Sequence, residues 1–142
     1  MIAPNNTRLV QQIYDAFNRR DFDIAANAVT DDCELVNMAL GNTFRGKEGV
    51  KEFEQGWATA FPDGKVTITS IMATDDMVTV EYTGRGTHTG PLVGPAGTLP
   101  ATGKPLVLHL CDVHKITNGK ISSLHTYYDA LGMLQQLGLA SA

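Results

Sequence analysis

Two stretches, MVTVEYTGRGTH at Met77–His88 and PLVLHLCDVHKI at Pro105–Ile116, decide how this chain folds. In both, apolar and polar side chains alternate over roughly twice the usual five or six residues of a strand, which puts successive side chains on opposite faces of a sheet. Between them Gly90–Gly103, rich in Gly and Pro, reads as a longer loop, so the two strands pair across a flap-like insertion. Working outward, Lys65–Ala73 joins the first through Asp75-Asp76, and Lys120–Tyr128 follows the second through the turn Thr117-Asn118-Gly119. A short helix, Ala130–Leu139, started by Asp129 and stopped by Gly138, closes the pattern.

Upstream the period changes from two to 3.6. Leu9, Val10, Ile13, Ala16 and Phe17 recur at three- and four-residue spacing, predicting a helix over Thr7–Asn18 capped by Asn5 or Asn6. Asp21 is placed to cap a short second helix through Ile24, Ala25 and Ala28 that ends near Asp31-Asp32. Cys33–Met38 reads as a strand, Gly41-Asn42 as a turn, and Thr43-Phe44-Arg45 as a short extended piece. Gly46–Ala60 returns to helical spacing, with Val50, Phe53, Trp57 and Phe61 on one side and Lys47, Lys51 and Glu54 on the other, until Pro62-Asp63-Gly64 stops it. Three helices, one strand and four long antiparallel strands describe an α+β fold with its helices on one face of a sheet, as one domain over residues 1–142.

Composition narrows the function classes. With 43% hydrophobic and 18% charged residues the chain is too apolar for disorder, yet it has no apolar run near the ~20 residues that span a bilayer. No basic segment followed by an apolar stretch stands near Met1, so a cytoplasmic location is expected. The net charge of −4, with Lys and Arg scattered singly, offers no stripe to track phosphates, and neither nucleic acid nor membrane is expected as a partner. Cys33 and Cys111 lack metal or disulfide spacing and read as reduced thiols; His88, His109, His114 and His125 lack ligand spacing too, so no metal is expected. Apolar residues on both faces of the long strand, Val107 and Cys111 opposite Leu108 and Leu110, point to a homodimer.

Among residues that carry chemistry, Asp112 is the most conspicuous, since an unpaired carboxylate inside Leu106–Val113 would be costly to bury. Two readings compete: an ion pair with Arg85 or a bond to Tyr14, and a catalytic acid or base in a pocket. Alternation places Asp112 with Leu108, Leu110 and His114, and His109 on the opposite face. His88 shares a face with Tyr82, Gly84 and Gly86, whose small neighbours leave room for a ligand, and its imidazole can exchange a proton near neutral pH. Arg85 points the other way and reads as structural. Thr126 and Tyr128 are expected inside, Trp57 and Tyr14 at the pocket, and Asp129 as a helix cap that also stands near it.

The segment Gly84-Arg85-Gly86-Thr87-His88-Thr89-Gly90, with Leu92, Gly94, Pro100 and Thr102-Gly103-Lys104, resembles the central strand and flap of SnoaL-like polyketide cyclases. So does the ending: Asp112-Val113-His114-Lys115-Ile116, Asn118-Gly119-Lys120-Ile121, Tyr128-Asp129 and Leu134-Gln135-Gln136-Leu137-Gly138. The resemblance implies a cone in the nuclear-transport-factor-2-like (cystatin-like) superfamily, a curved, mainly antiparallel sheet packed on N-terminal helices and open at one end for an apolar ligand. It also implies an ester cyclase's intramolecular aldol closure with no metal or organic cofactor. Those cyclases' acid-base aspartate aligns with Thr126, their partner histidine with Asp112, and their strand histidine with His88. Compared with ketosteroid isomerases, which share the cone, Tyr14 and Asp112 fall at the oxyanion-hole positions and Asn37 at that of the proton-abstracting carboxylate.

The expected function is therefore a small-molecule pocket protein, a cofactor-independent polyketide cyclase or isomerase acting on an apolar carbonyl compound. Asp112 and His88 are the candidate catalytic residues, and Tyr14, Asn37, Trp57, Thr126, Tyr128 and Asp129 the candidate substrate-binding residues. The alternative is a non-catalytic binding protein for an apolar metabolite.

Overall fold

An apolar stripe through Val10, Ile13, Tyr14 and Ala16 forms the buried face of α1 (Ile2–Asn18), and the short α2 (Phe22–Asn27) folds back beside it. Arg20 makes that corner with a positive φ of 63°. Its guanidinium donates to the carbonyls of Pro62 and Gly64 at 2.9 and 2.7 Å, pinning the corner to the end of α3 (Gly46–Ala60). The strands are β1 (Val29–Asn37), β2 (Thr43–Arg45), β3 (Lys65–Ala73), β4 (Met77–Thr87), β5 (Leu92–Gly94), β6 (Gly97–Leu99), β7 (Pro105–Thr117) and β8 (Lys120–Tyr128), and α4 (Ala130–Gln136) ends the fold. These elements come from a computed structural model that describes residues 2–141.

Six strands form one curved, open sheet in the order β2-β1-β8-β7-β4-β3, while β5 and β6 make a separate hairpin. All neighbours in the sheet are antiparallel except β1 and β8. Register shifts between Val29 and Glu34, between Ile68 and Ser70, and between Lys115 and Ile116 supply the irregularities that let long strands bend. The concave face packs on the helices, α1 against β3 and α3 against β1, with the apolar core between. On β7 the inward row Leu106, Leu108, Leu110, Asp112, His114 and Ile116 is buried.

Several boundaries differ from those expected. Helix α1 begins at Ile2, so neither Asn5 nor Asn6 caps it; Asn6 is buried, and its amide donates to the Thr74 and Asp75 carbonyls at 3.0 and 3.1 Å, tying α1 to the β3–β4 turn. Strand β1 starts at Val29, four residues early, because Val29, Cys33 and Leu35 all find places in the core. The expected loop Gly90–Gly103 contains the β5–β6 hairpin, with Gly97 at φ 129° in its turn. Glu54, assigned to the solvent side of α3, is buried. Both thiols are free, and burial pushes that of Cys33 up to about 11.

Gly90 marks the tightest approach in the fold. It follows β4 and donates its N–H to the Ala60 carbonyl at 3.1 Å, and a Cβ there would lie 1.9 Å from the Thr59 carbonyl oxygen. In α3 a Cβ on Gly56 would meet nothing within 4 Å. Gly90→Ala should therefore lose about 2–3 kcal/mol through forced backbone displacement. Gly56→Ala should gain about 0.5–1 kcal/mol from helix propensity. Urea unfolding followed by circular dichroism checks both; equal midpoints for the two variants would contradict the packing at Gly90.

Candidate functional site

The helices and concave sheet face enclose a cavity of about 130 Å³, apolar over most of its lining. Val50, Phe53, Trp57 and Phe61 line it from the α3 side, and Leu106, Leu108 and Leu110 from β7. Lys65 and Arg85, opposite each other in the β3–β4 register, also border it, but both side chains are exposed, on the face away from the inward row as alternation predicts. The polar groups on the lining include Tyr14, Glu54, Tyr82, Asp112 and His114.

Asp112 organises this cluster. Thr126 is its direct cross-strand partner on β8, Val80 its partner on β4, and Tyr82 stands two residues farther along β4 on the same face. The Thr126 hydroxyl donates to Asp112 Oδ1 at 2.6 Å and the Tyr82 hydroxyl at 3.0 Å; the Tyr14 hydroxyl, from α1, donates to Oδ2 at 2.6 Å. Tyr14 and Tyr82 meet edge to face, ring centroids 5.0 Å apart. The ion pairs of the described residues, Arg45–Glu34, Lys47–Asp31 and Lys51–Asp23, lie elsewhere, so hydroxyls alone solvate this carboxylate. Burial raises its pKa to about 6, and the bonds from Thr126, Tyr14 and Tyr82 oppose that rise.

Tyr14 also lies 2.9 Å from His114 Nε2. Burial drives the His114 pKa down to about 3, so the ring is neutral at ordinary pH. With Tyr14 donating to Asp112, the phenol oxygen must accept from His114 Nε2–H, which assigns the tautomer and leaves Nδ1, buried without a partner, as a bare lone pair. The reverse order, Asp112 to Tyr14 to His114, would require the ring proton to move from Nε2 to Nδ1, so this tautomer belongs with an ionised Asp112.

Glu54 brings a second carboxyl to the cavity from the helical wall. Only 9% exposed, it has no hydrogen-bond partner at Oε1, and burial, with a smaller contribution from the charge of Asp112, raises its pKa to about 8. Sequence reading missed it, although Glu54 is four residues from Val50 and three from Trp57, squarely on the apolar stripe of α3. Tyr82 and His114 were placed on the correct faces but not recognised as site residues.

The remaining candidates separate. Trp57 lines the cavity, stacked on Phe61 and edge-on to Tyr128. Thr126 is fully buried behind Asp112. Asn37 is buried outside the lining, its Oδ1 accepting from the Ala39 and Leu40 amides at 3.1 Å and its amide donating to the Tyr128 hydroxyl at 2.9 Å. Asp129 caps α4 by accepting from the Gly132 N–H at 2.8 Å. His88 lies beyond Phe61, ring centroids 5.3 Å apart, and is not brought to Asp112. Its Nδ1 accepts from the Thr102 hydroxyl and amide at 2.9 and 3.3 Å, which puts the ring proton on a buried, unpartnered Nε2.

Comparison with solved structures places this architecture among known proteins. A Jannaschia sp. CCS1 protein provisionally described as a SnoaL-like polyketide cyclase superposes with a TM-score of 0.86 at 17% identity, over 99% of this chain and 96% of that one. IdmH of Streptomyces antibioticus, provisionally described as a polyketide cyclase, gives 0.75 at 28% identity over 94% and 98%. A Catenulispora acidiphila protein with a ketosteroid isomerase-like fold, solved with trimethylamine, gives 0.76 at 22% identity over 93% of each chain. Comparison with curated proteins found no match. The family model for SnoaL-like polyketide cyclase matches residues 7–137, nearly the whole fold and every polar residue of the cavity, and the chain belongs to that family.

Proposed function

We propose that this protein is a cofactor-independent cyclase or isomerase that moves a proton on an apolar carbonyl compound, with Asp112 as the base. The observation that carries this reading is a carboxylate on the wall of an apolar cavity, held by three hydroxyls from three elements and by no cation. A cation would stabilise the charge and weaken the base; burial does the reverse. With its pKa near 6, Asp112 is ionised at pH 7 to 8 yet basic enough to accept a proton.

The hydrogen bonds select the reacting oxygen. Oδ1 already accepts from Thr126 and Tyr82, whereas Oδ2 accepts only from Tyr14 and keeps a lone pair for a substrate C–H. Proton transfer to Oδ2 leaves the C–H electron pair on the carbon beside a carbonyl, as an enolate. In a cyclase that carbon would attack a second carbonyl of the same molecule; in an isomerase it would be reprotonated elsewhere. His88 has a different proposed role, anchoring the flap through Thr102, and Asn37 fixes the turn after β1 and the Tyr128 hydroxyl.

Asp112→Asn should lower kcat by about 10²- to 10⁴-fold with an unchanged circular dichroism spectrum, assayed against polyketide methyl esters and 5-ene-3-ketosteroids. Full activity in that variant would remove Asp112 from the chemistry. Thermal stabilisation of the wild type by these compounds without product would favour the non-catalytic binding protein.

The base must be ionised, so wild-type kcat/KM should climb with pH to a plateau above about 6. Thr126→Val deletes a bond that favours the charged form of Asp112 and should move that acidic limb upward by about one pH unit, as expected for a bond worth about 1.4 kcal/mol. A limb that stays in place would show that Thr126 does not tune the base.

A further inference from the structure

A base alone leaves the developing charge on the ligand oxygen unanswered, and the helical wall carries a group suited to answer it. We propose that Glu54 is a second catalytic carboxyl, which donates a hydrogen bond and then a proton to the carbonyl oxygen of a ligand lying between α3 and the Asp112 wall. The proton-transfer part rests on the reading of Asp112 as the base; the donor subsite does not.

Placement carries the inference. Glu54 lines the cavity from α3 while Asp112 lines it from the sheet, so a ligand in this space has a carboxyl on the helix side and another on the strand side. A structural glutamate on an apolar helix face would have a partner, yet Oε1 has none. The lysines of the same helix are turned to other carboxylates, Lys51 to Asp23 of α2 at 3.0 Å and Lys47 to Asp31 of β1 at 3.9 Å. Arg45 at the end of β2 pairs with Glu34, and β5 has no titratable side chain. On the other walls of the cavity stand Tyr14 of α1, Tyr82 of β4, and Asp112 and His114 of β7, while the Lys65 and Arg85 side chains at its border are exposed. Nothing in this set neutralises a Glu54 carboxylate inside the cavity, and a nearby ionised Asp112 opposes its formation. At neutral pH Glu54 therefore keeps its proton and can donate it.

The step balances without any co-reactant. Asp112 Oδ2 takes the proton, and the released C–H pair forms the new C–C bond to a second carbonyl carbon. The π pair of that carbonyl moves to its oxygen, and the oxygen takes the Glu54 proton. The ligand is isomerised, Asp112 ends protonated and Glu54 ionised, and one proton passed back through water resets the site.

Trp57, the only tryptophan in the chain, lines the cavity and supplies the readout. Its fluorescence is used to titrate α-tetralone, an aryl ketone, and tetralin, the same skeleton without the acceptor oxygen, between pH 7.0 and 9.5. Over that window Asp112 stays ionised, His114 stays neutral, and Tyr14 and Tyr82, held well above 10 first by burial and then by Asp112, stay protonated. The wild-type preference for α-tetralone should be about tenfold at pH 7.0 and should fade with a midpoint near 8 as Glu54 ionises. Glu54→Gln keeps an N–H donor, so its preference should persist unchanged to pH 9.5. On any compound the wild type turns over, Glu54→Gln should lower kcat by about 100-fold with KM changed little, and the alkaline limb near 8 should vanish. A preference independent of pH in the wild type, which needs no variant, or a Glu54→Gln protein that loses it as the wild type does, overturns the donor role. A fading preference with no turnover of any compound supports the donor subsite and sinks the base assignment instead.

Discussion

One buried carboxylate sets the terms for the rest of this structure. Asp112 has only 6% of its surface exposed and is stabilised by Thr126, Tyr82 and Tyr14, without a cation. Hydroxyl dipoles act only at short range, so all three must stand within about 3 Å of the carboxylate oxygens at once. That demand reaches into the sheet register, because Thr126 must lie opposite Asp112 and Tyr82 two residues beyond its other partner. A slip of one residue on either neighbour would turn that strand's donor to the opposite face and take one of the three bonds from the carboxylate. Tyr14 extends the same demand to α1, which is anchored at both ends, by Asn6 on the β3–β4 turn and by Asn18 on Val66.

The apolar walls supply the complementary constraint. Leu106, Leu108 and Leu110 continue the Asp112 row along β7, and Val50, Phe53 and Trp57 face it from α3. A medium of this kind penalises charge, which is why the carboxyls titrate upward and His114 downward. The reactivity proposed for the site is therefore a property of the container as much as of the residues within it. Filling the cavity with water would return Asp112 toward an ordinary, weakly basic carboxylate.

Much of the container was legible because it follows from period. Alternation along Pro105–Ile116 placed Asp112 and His114 on one face and His109 on the other, and the four long strands pair antiparallel in the expected order, whereas the parallel pairing of β1 with β8 was not expected. The site was harder to read, since its members converge from α1, α3, β4, β7 and β8 and periodicity does not say which faces meet. Two local signals were also outweighed. Charge type assigned Glu54 to solvent, whereas its spacing from Val50 and Trp57 assigned it to the core, and spacing prevailed. The small residues beside His88 suggested room for a ligand, and Gly84 and Gly86 do line the cavity, but His88 itself is packed against Phe61 and stands outside that lining.

Two carboxyls in one apolar cavity do not behave as independent acids. Ionising Asp112 raises the cost of ionising Glu54, and each is already disfavoured as an anion by burial. Near neutral pH the pair is therefore best occupied by a single proton, held by the carboxyl with fewer donors. Three hydroxyls stabilise the anion at Asp112 and none is bonded to Glu54 Oε1, so the proton resides on Glu54. In the proposed mechanism this asymmetry in hydrogen bonding is what makes Asp112 the base and Glu54 the acid. On that proposal, a fourth donor at Asp112 would weaken the base and one at Glu54 would release the acid's proton before a ligand arrived, so the reactivity depends on this uneven distribution of donors.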